Sequence, residues 1–232
     1  MEDLLLLPGM MLDARMYEAQ AAALAACARV RIGHLRGGES IAAISGQVLK
    51  DAPARFAVVG FSMGGIVAME MWRLAPHRIS RLGLLDTTPF AETPDRRALR
   101  LEEVASGEAG HLRDVVETFV PRYLAGRNAA NHRLVQSVLD QALGLGATVF
   151  RQQSLALRDR SESVATLPTI GCPALVLCGR EDQLCPVGYH EMMAKAIPRA
   201  DLLVLASCGH LSPMEEPRAV TAAIEGLLQR EP

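Results

Sequence analysis

The chain has 232 residues, half of them apolar, 22% charged and 4% aromatic, with a formal net charge of -2. A charge so close to zero, without runs of like sign, gives no electrostatic footprint for phosphate backbones or anionic lipid, so neither nucleic acid nor a membrane surface is an expected partner. The apolar content suffices for a substantial core at this length, which excludes disorder.

At the N-terminus Glu2 and Asp3 precede only four leucines, and Pro8-Gly9 ends the run, too short for a signal h-region or a membrane span. A cytoplasmic protein is expected. The five cysteines, Cys27, Cys172, Cys178, Cys185 and Cys208, form an odd set without C-x-x-C spacing, which reads as reduced thiols rather than a disulfide framework or zinc site.

In chain order, short apolar runs predict six strands: Leu4 to Leu7, Val30 to His34, Phe56 to Gly60, Leu82 to Asp86, Ala174 to Gly179 and Asp201 to Leu205. Helical segments fall between them. Tyr17 to Ala28 is alanine-rich, and Ser40 can cap a helix through Asp51 whose apolar stripe is Ile41, Ile44, Val48 and Leu49. This alternation predicts an α/β fold, a mostly parallel sheet with helices on both faces. Between Pro89 and Thr166 it lapses into about four helical stretches punctuated by Gly107, Gly110, Gly126, Gly144 and Gly146. We read residues 89–166 as a helical lid inserted into a core of residues 1–88 and 167–232, over the carboxyl edge where such sheets bind ligands.

Gly60-Phe61-Ser62-Met63-Gly64 joins an apolar strand to a segment, Ile66 to Leu74, without internal Gly or Pro. It is a G-x-S-x-G elbow: the sharp strand-to-helix turn strains the central residue and crowds its flanks, and the helix N-terminus can stabilise negative charge near Ser62. A serine hydroxyl needs a base, itself oriented by an acid. Asp182 lies past the fifth strand in Gly-Arg-Glu-Asp-Gln-Leu-Cys-Pro, and His210 lies past the sixth, after Gly209, which would let the backbone turn. Asp86, ending the fourth strand, is a rival acid whose plainer role is to cap the turn at Thr87-Thr88-Pro89.

Together GFSMGG, GREDQLCP and SCGHLSPMEEP resemble the α/β-hydrolase superfamily, in its small lid-bearing serine esterase and lactonase-like branch. The resemblance covers almost the whole chain. It implies Ser62 as nucleophile, His210 as base and then acid, Asp182 as the group that orients the imidazole, and an oxyanion hole of the Met63 and Met10 backbone amides. The family usually has His where Pro8 stands. It also usually has a β-hairpin ahead of the first strand, so the sheet is expected to be about two strands short, with an edge that a homodimer partner could cover.

Ten methionines against nine aromatics suggest a deformable interior. Met10, Met11 and Met63 beside the site would line a pocket for an acyl chain or small alicyclic group. Phe119, Leu124 and Phe150 are expected as its roof, with His34, Leu184 and Leu211 as further substrate contacts. His77, His111, His132 and His190 read as surface groups, Cys185 and Cys208 as packing, and no cluster has metal-ligand spacing.

The expected activity is hydrolysis of a small carboxylic ester or lactone through an acyl-enzyme, without cofactor or metal. Carbon-carbon cleavage, thioester hydrolysis or elimination by the same three residues is the alternative within enzymes. A non-catalytic binder of a small apolar ligand is the alternative outside them.

Overall fold

In the computed structural model, which describes residues 1–128 and 130–232, the strands and crossover helices alternate as the patterning requires. Strand β1 (Glu2–Leu7) leads through a 3₁₀ turn to α1 (Glu18–Leu24), then β2 (Ala28–Ile32), α2 (Ile41–Asp51), β3 (Phe56–Phe61), α3 (Met63–Leu74) and β4 (Ile79–Leu85). The Ser40 hydroxyl caps α2, accepting from Ala43 N at 3.1 Å.

Helices α4 (Pro94–Ser106), α5 (Leu112–Tyr123) and α6 (His132–Arg158) follow without an intervening strand. Gly110, at φ 99°, separates α4 from α5, and Gly146, at φ 81°, breaks α6 into two straight pieces. Four α-helical stretches therefore lie here among the described residues, and two of their three divisions fall at glycines whose left-handed backbone a residue with a Cβ rarely adopts. The chain then returns through β5 (Ala174–Gly179), α7 (Val187–Ala196), β6 (Ala200–Leu205), the short α8 (Ser212–Glu215) and α9 (Pro217–Gln229).

The six strands form one sheet in the order β2-β1-β3-β4-β5-β6, every pair parallel. Alternate residues feed two cores. Leu4, Leu6, Ala57, Val59 and Phe61 pack on one side with residues of α1, α5, α6 and α9; Leu5, Leu7, Phe56 and Val58 pack on the other with α2, α3 and α7.

The chain runs from β1 outward to β2 and then crosses back to β3, so the strand order reverses between β1 and β3. Parallel sheets open a crevice at the carboxyl ends of two such strands. The loop after β1 holds Met10, and the turn after β3 holds Ser62.

β2 is an edge strand, and its exposed Arg29 and Arg31 pair with Asp3 on β1 at 2.7 and 3.9 Å. Such charges discourage edge-to-edge association. No helix among the described residues is long and apolar enough to cross a membrane.

Candidate active site

Ser62 has φ 52° and ψ -115°, a conformation costing a side-chain-bearing residue on the order of 1–3 kcal/mol. The turn is held from three sides. Ser62 N donates to Leu85 O at 2.8 Å, its carbonyl accepts from Gly65 N at 2.9 Å, and the Thr87 hydroxyl donates to the same carbonyl at 2.7 Å. A Cβ on Gly60 would collide with the Gly64 carbonyl, and one on Gly64 with the Leu7 carbonyl, so both positions require glycine.

His210 Nε2 lies 3.0 Å from Ser62 Oγ, and its Nδ1 lies 2.8 Å from Asp182 Oδ2. The other carboxylate oxygen of Asp182 accepts from Leu184 N at 2.8 Å and Cys185 N at 2.9 Å. Burial alone would raise the Asp182 carboxyl, but His210 and these two amides outweigh it and hold the group below the usual carboxylate range. The three side chains thus form one continuous hydrogen-bonded row, most of it out of water.

Met63 N is the first donor of α3 and lies outside the helical ladder. Neither Met63 N nor Met10 N donates to any other group among the described residues, and both residues line the cavity that contains Ser62 and His210.

Asp86 takes a different place from the one its rival reading requires. Its φ is 45°; Oδ1 accepts from Gly179 N at 3.0 Å, and Oδ2 accepts from the Ser212 hydroxyl. It therefore ties the segment that leads to Asp182 to the one that follows His210, while Asp182 is the carboxylate bonded to the imidazole. Complete burial and the nearby Asp182 charge push the Asp86 carboxyl well above its ordinary range.

His190 corrects its expectation as a surface group. It is fully buried, its Nε2 accepts from Thr87 N at 3.0 Å, and its Nδ1 lies 3.3 Å from Pro186 O. Burial pulls its pKa down to about 4, so the neutral ring serves as a bridge between the end of β4 and the start of α7. His77, His111 and His132 are exposed.

The cavity has a volume of about 230 Å³. Of the expected contacts, Met10, Met63, Phe119 and Leu184 line it, whereas Met11, His34, Leu124, Phe150 and Leu211 do not. Each departure has a cause in packing. Met11, Leu124, Phe150 and Leu211 are buried in the hydrophobic core, Phe150 stacked on Phe119, and His34 lies exposed two residues beyond β2. Beside Met10, Met63, Phe119 and Leu184 the cavity is also lined by Arg96, Arg100, Arg122 and Arg160 together with Glu92, which the sequence reading does not single out. Arg96 and Arg100 stand four residues apart on α4, which puts them on one helix face; that spacing was the available signal.

Several positioning residues carry no motif. Gln153, buried on α6, accepts from Met11 N at 2.8 Å and donates to Leu35 O at 2.9 Å, pinning the loop that contains Met10. The Tyr123 carbonyl accepts from His210 N at 2.7 Å. Glu215 accepts from Gly209 N and Leu211 N through Oε1, and from Ala125 N and Asn128 Nδ2 through Oε2. Gly209 has an ordinary φ, so its glycine is required by close approach instead: a Cβ there would collide with the backbone of Leu124 and Ala125.

Asp182, Cys185 and His210 bring potential metal-ligand atoms within 4.8 Å of one another. Asp182 and His210 are bonded to each other, however, and burial pushes the Cys185 thiol well up, favouring its neutral form over the thiolate a metal needs. All five cysteines are free thiols.

The model of the alpha/beta hydrolase family matches residues 4–224. The chain belongs to the alpha/beta hydrolase family. It is 29% identical to the pimeloyl-[acyl-carrier protein] methyl ester esterase of Aromatoleum aromaticum, covering 98% of each chain. Among solved structures it is similar to a malate-bound thermophilic esterase of Thermogutta terrifontis, with TM-score 0.91, 27% identity and coverage of 99% of this chain and 90% of that one. The enol-lactonase of Burkholderia xenovorans shares the fold at TM-score 0.88 and 21% identity, over 99% and 92% of the two chains.

Proposed function

We propose that this alpha/beta hydrolase cleaves a small carboxylic ester or lactone through an acyl-enzyme on Ser62. The observation that carries the reading is the unbroken row from Asp182 through His210 to Ser62, opening into a cavity beside two unspent backbone donors. The relatives named as esterases support ester cleavage, the one from Aromatoleum aromaticum matching over nearly its full length.

In this reading Ser62 Oγ attacks the carbonyl carbon while its proton passes to His210 Nε2. The carbonyl oxygen becomes an oxyanion and accepts hydrogen bonds from the Met63 and Met10 amides, the positive end of α3 adding to their field. When the intermediate collapses, His210 returns the proton to the departing alkoxide oxygen and the acyl group stays on Ser62. Water then attacks the acyl carbon, giving its proton to His210, and the second collapse releases the acid and restores the Ser62 hydroxyl. Asp182 remains ionised throughout; its bond to Nδ1 fixes the tautomer that leaves Nε2 free to accept and stabilises the imidazolium that forms.

The helices of residues 89–166 act as the lid. They supply Phe119 and Tyr123 to the cavity, and Gln153 of α6 steadies the Met10 loop.

Ser62→Ala is the direct test. Turnover of a short p-nitrophenyl ester should fall by at least about 10³-fold while the melting curve is retained. Undiminished turnover in that variant would remove the proposal. If a fluorophosphonate fails to label Ser62 in folded protein while a small ligand still raises the melting temperature, a non-catalytic binder replaces it.

A further inference from the structure

The charge on the cavity wall exceeds what the protein itself neutralises. Four arginines are among the residues lining a space of about 230 Å³, and among the described residues Glu92 is the one carboxylate that lines it. Glu92 is shared, accepting from Arg100 Nε at 2.7 Å and from Arg160 Nη1 at 2.8 Å. Arg160 is otherwise satisfied by the carbonyls of Phe90 and Leu157, which gives it a structural place at the end of α6.

The other three arginines are less well matched. Arg96 pairs with Glu103 at 2.6 Å, outside the cavity lining. Arg122 has no carboxylate within ion-pair distance among the described residues. Arg100 is 8% exposed, and beyond Glu92 its contact is Nη1 to Met10 Sδ at 3.7 Å. A thioether is a weak acceptor for a donor that carries five N–H groups in all. No described residue accepts from the Arg100 Nη2, so an anion entering the cavity would supply the acceptor that the protein does not. Because Arg100 touches Met10, these donors lie one side chain away from the proposed oxyanion position.

We infer that the substrate carries an anionic group, a carboxylate or a phosphate, in addition to the ester or lactone that is cleaved, and that Arg96, Arg100 and Arg122 bind it. This inference rests on the ester-hydrolase reading and narrows it to short, negatively charged esters. The cavity is smaller than the roughly 300–1,000 Å³ of sites for drug-sized ligands, in keeping with a short chain between the two groups. Arginine suits this task because its planar fork pairs both oxygens of a carboxylate or phosphate and keeps its charge when buried.

The test compares three methyl esters of similar length, ending in a carboxylate (methyl hydrogen glutarate), a phosphonate (methyl 4-phosphonobutanoate) and a neutral amide (methyl 5-amino-5-oxopentanoate), assayed by pH-stat. At least one charged ester should exceed the amide in kcat/KM by about tenfold to a hundredfold, mainly through KM, and added salt should shrink the gap. The better of the two identifies the anion. In Arg96→Gln/Arg122→Gln the charged-to-neutral ratio should fall about tenfold; should that variant melt early, Arg122→Gln alone, at an exposed helix position, carries the same comparison with a smaller drop.

A ratio near one in the parent protein, or a ratio unchanged in the variants, overturns the inference even if all three esters are cleaved. If none is cleaved, calorimetric titration with glutarate, inorganic phosphate and glutaramide separates the two ideas. Anion binding that the variants weaken keeps the charged site and removes the ester reading. Absence of anion binding overturns the charged site itself.

Discussion

Replacing Glu215 by alanine should loosen the His210 loop and the helical segment above it in one step. The carboxylate accepts from Gly209 N at 3.0 Å, Leu211 N at 3.2 Å, Ala125 N at 2.8 Å and Asn128 Nδ2 at 2.8 Å, so it clamps both residues that flank His210 to the chain just beyond α5. A hydrogen bond to a charged acceptor contributes about 1.5–3 kcal/mol, but these four share one half-buried group and are not additive, so the loss is about 2–4 kcal/mol. At about 2–4 °C per kcal/mol for a chain of this size, the melting temperature should drop by about 5–15 °C. Because the imidazole must keep its 3.0 Å contact with Ser62 Oγ, kcat should also fall about tenfold or more at temperatures where the variant remains folded. Glu215→Gln keeps one oxygen and turns an amide N–H₂ toward the other pair of donors, so it should fall between the parent and alanine. Scanning calorimetry gives the stability and steady-state kinetics the rate. An alanine variant that melts within about 1 °C of the parent and keeps its kcat would refute the clamp.

Two further outcomes follow from groups around the crevice. Asp86 has a folded-state pKa raised above its unfolded value, so its contribution to stability is present below about pH 4 and is lost as pH rises toward the folded value; Asp86→Asn removes that loss. Urea titrations at pH 5 and pH 7 should therefore show the parent losing stability relative to the variant by up to about 1.4 kcal/mol per pH unit, and parallel pH profiles would contradict the assignment. Gln153→Ala leaves the buried Met11 amide and Leu35 carbonyl without their partner, which should cost about 1–3 kcal/mol in chemical denaturation and lower kcat through the displaced Met10 loop, with unchanged values on both counts as the opposing result.

What could be read before any coordinates were those features whose cause is local in the chain. Six apolar runs separated by helical periods specified a parallel α/β sheet, because burial on both faces needs continuous apolar strands, and the observed strands differ from the expected ones mainly by a few residues at their ends. The GFSMGG elbow was equally legible, since Gly60 and Gly64 are required by contacts within five residues of Ser62 and by the neighbouring first strand.

Tertiary structure alone decided which side chains meet across long separations. His190 reads as a helix surface residue until packing places it against Thr87 N, and Asp86 competes with Asp182 until the sheet turns one toward Gly179 and Ser212 and the other toward His210. Met11, Leu124, Phe150 and Leu211 are as apolar as true lining residues, and only the direction of each Cβ separates core from cavity. The arginines of the wall and the clamps made by Gln153 and Glu215 belong to the same class. A charged side chain on an amphipathic helix looks solvent-facing by periodicity, whereas its actual environment depends on how helices broken at Gly110 and Gly146 settle over the sheet. Sequence specified the backbone turns and the three residues that form the hydrogen-bonded row from Asp182 to Ser62; long-range packing specified the charge that surrounds them.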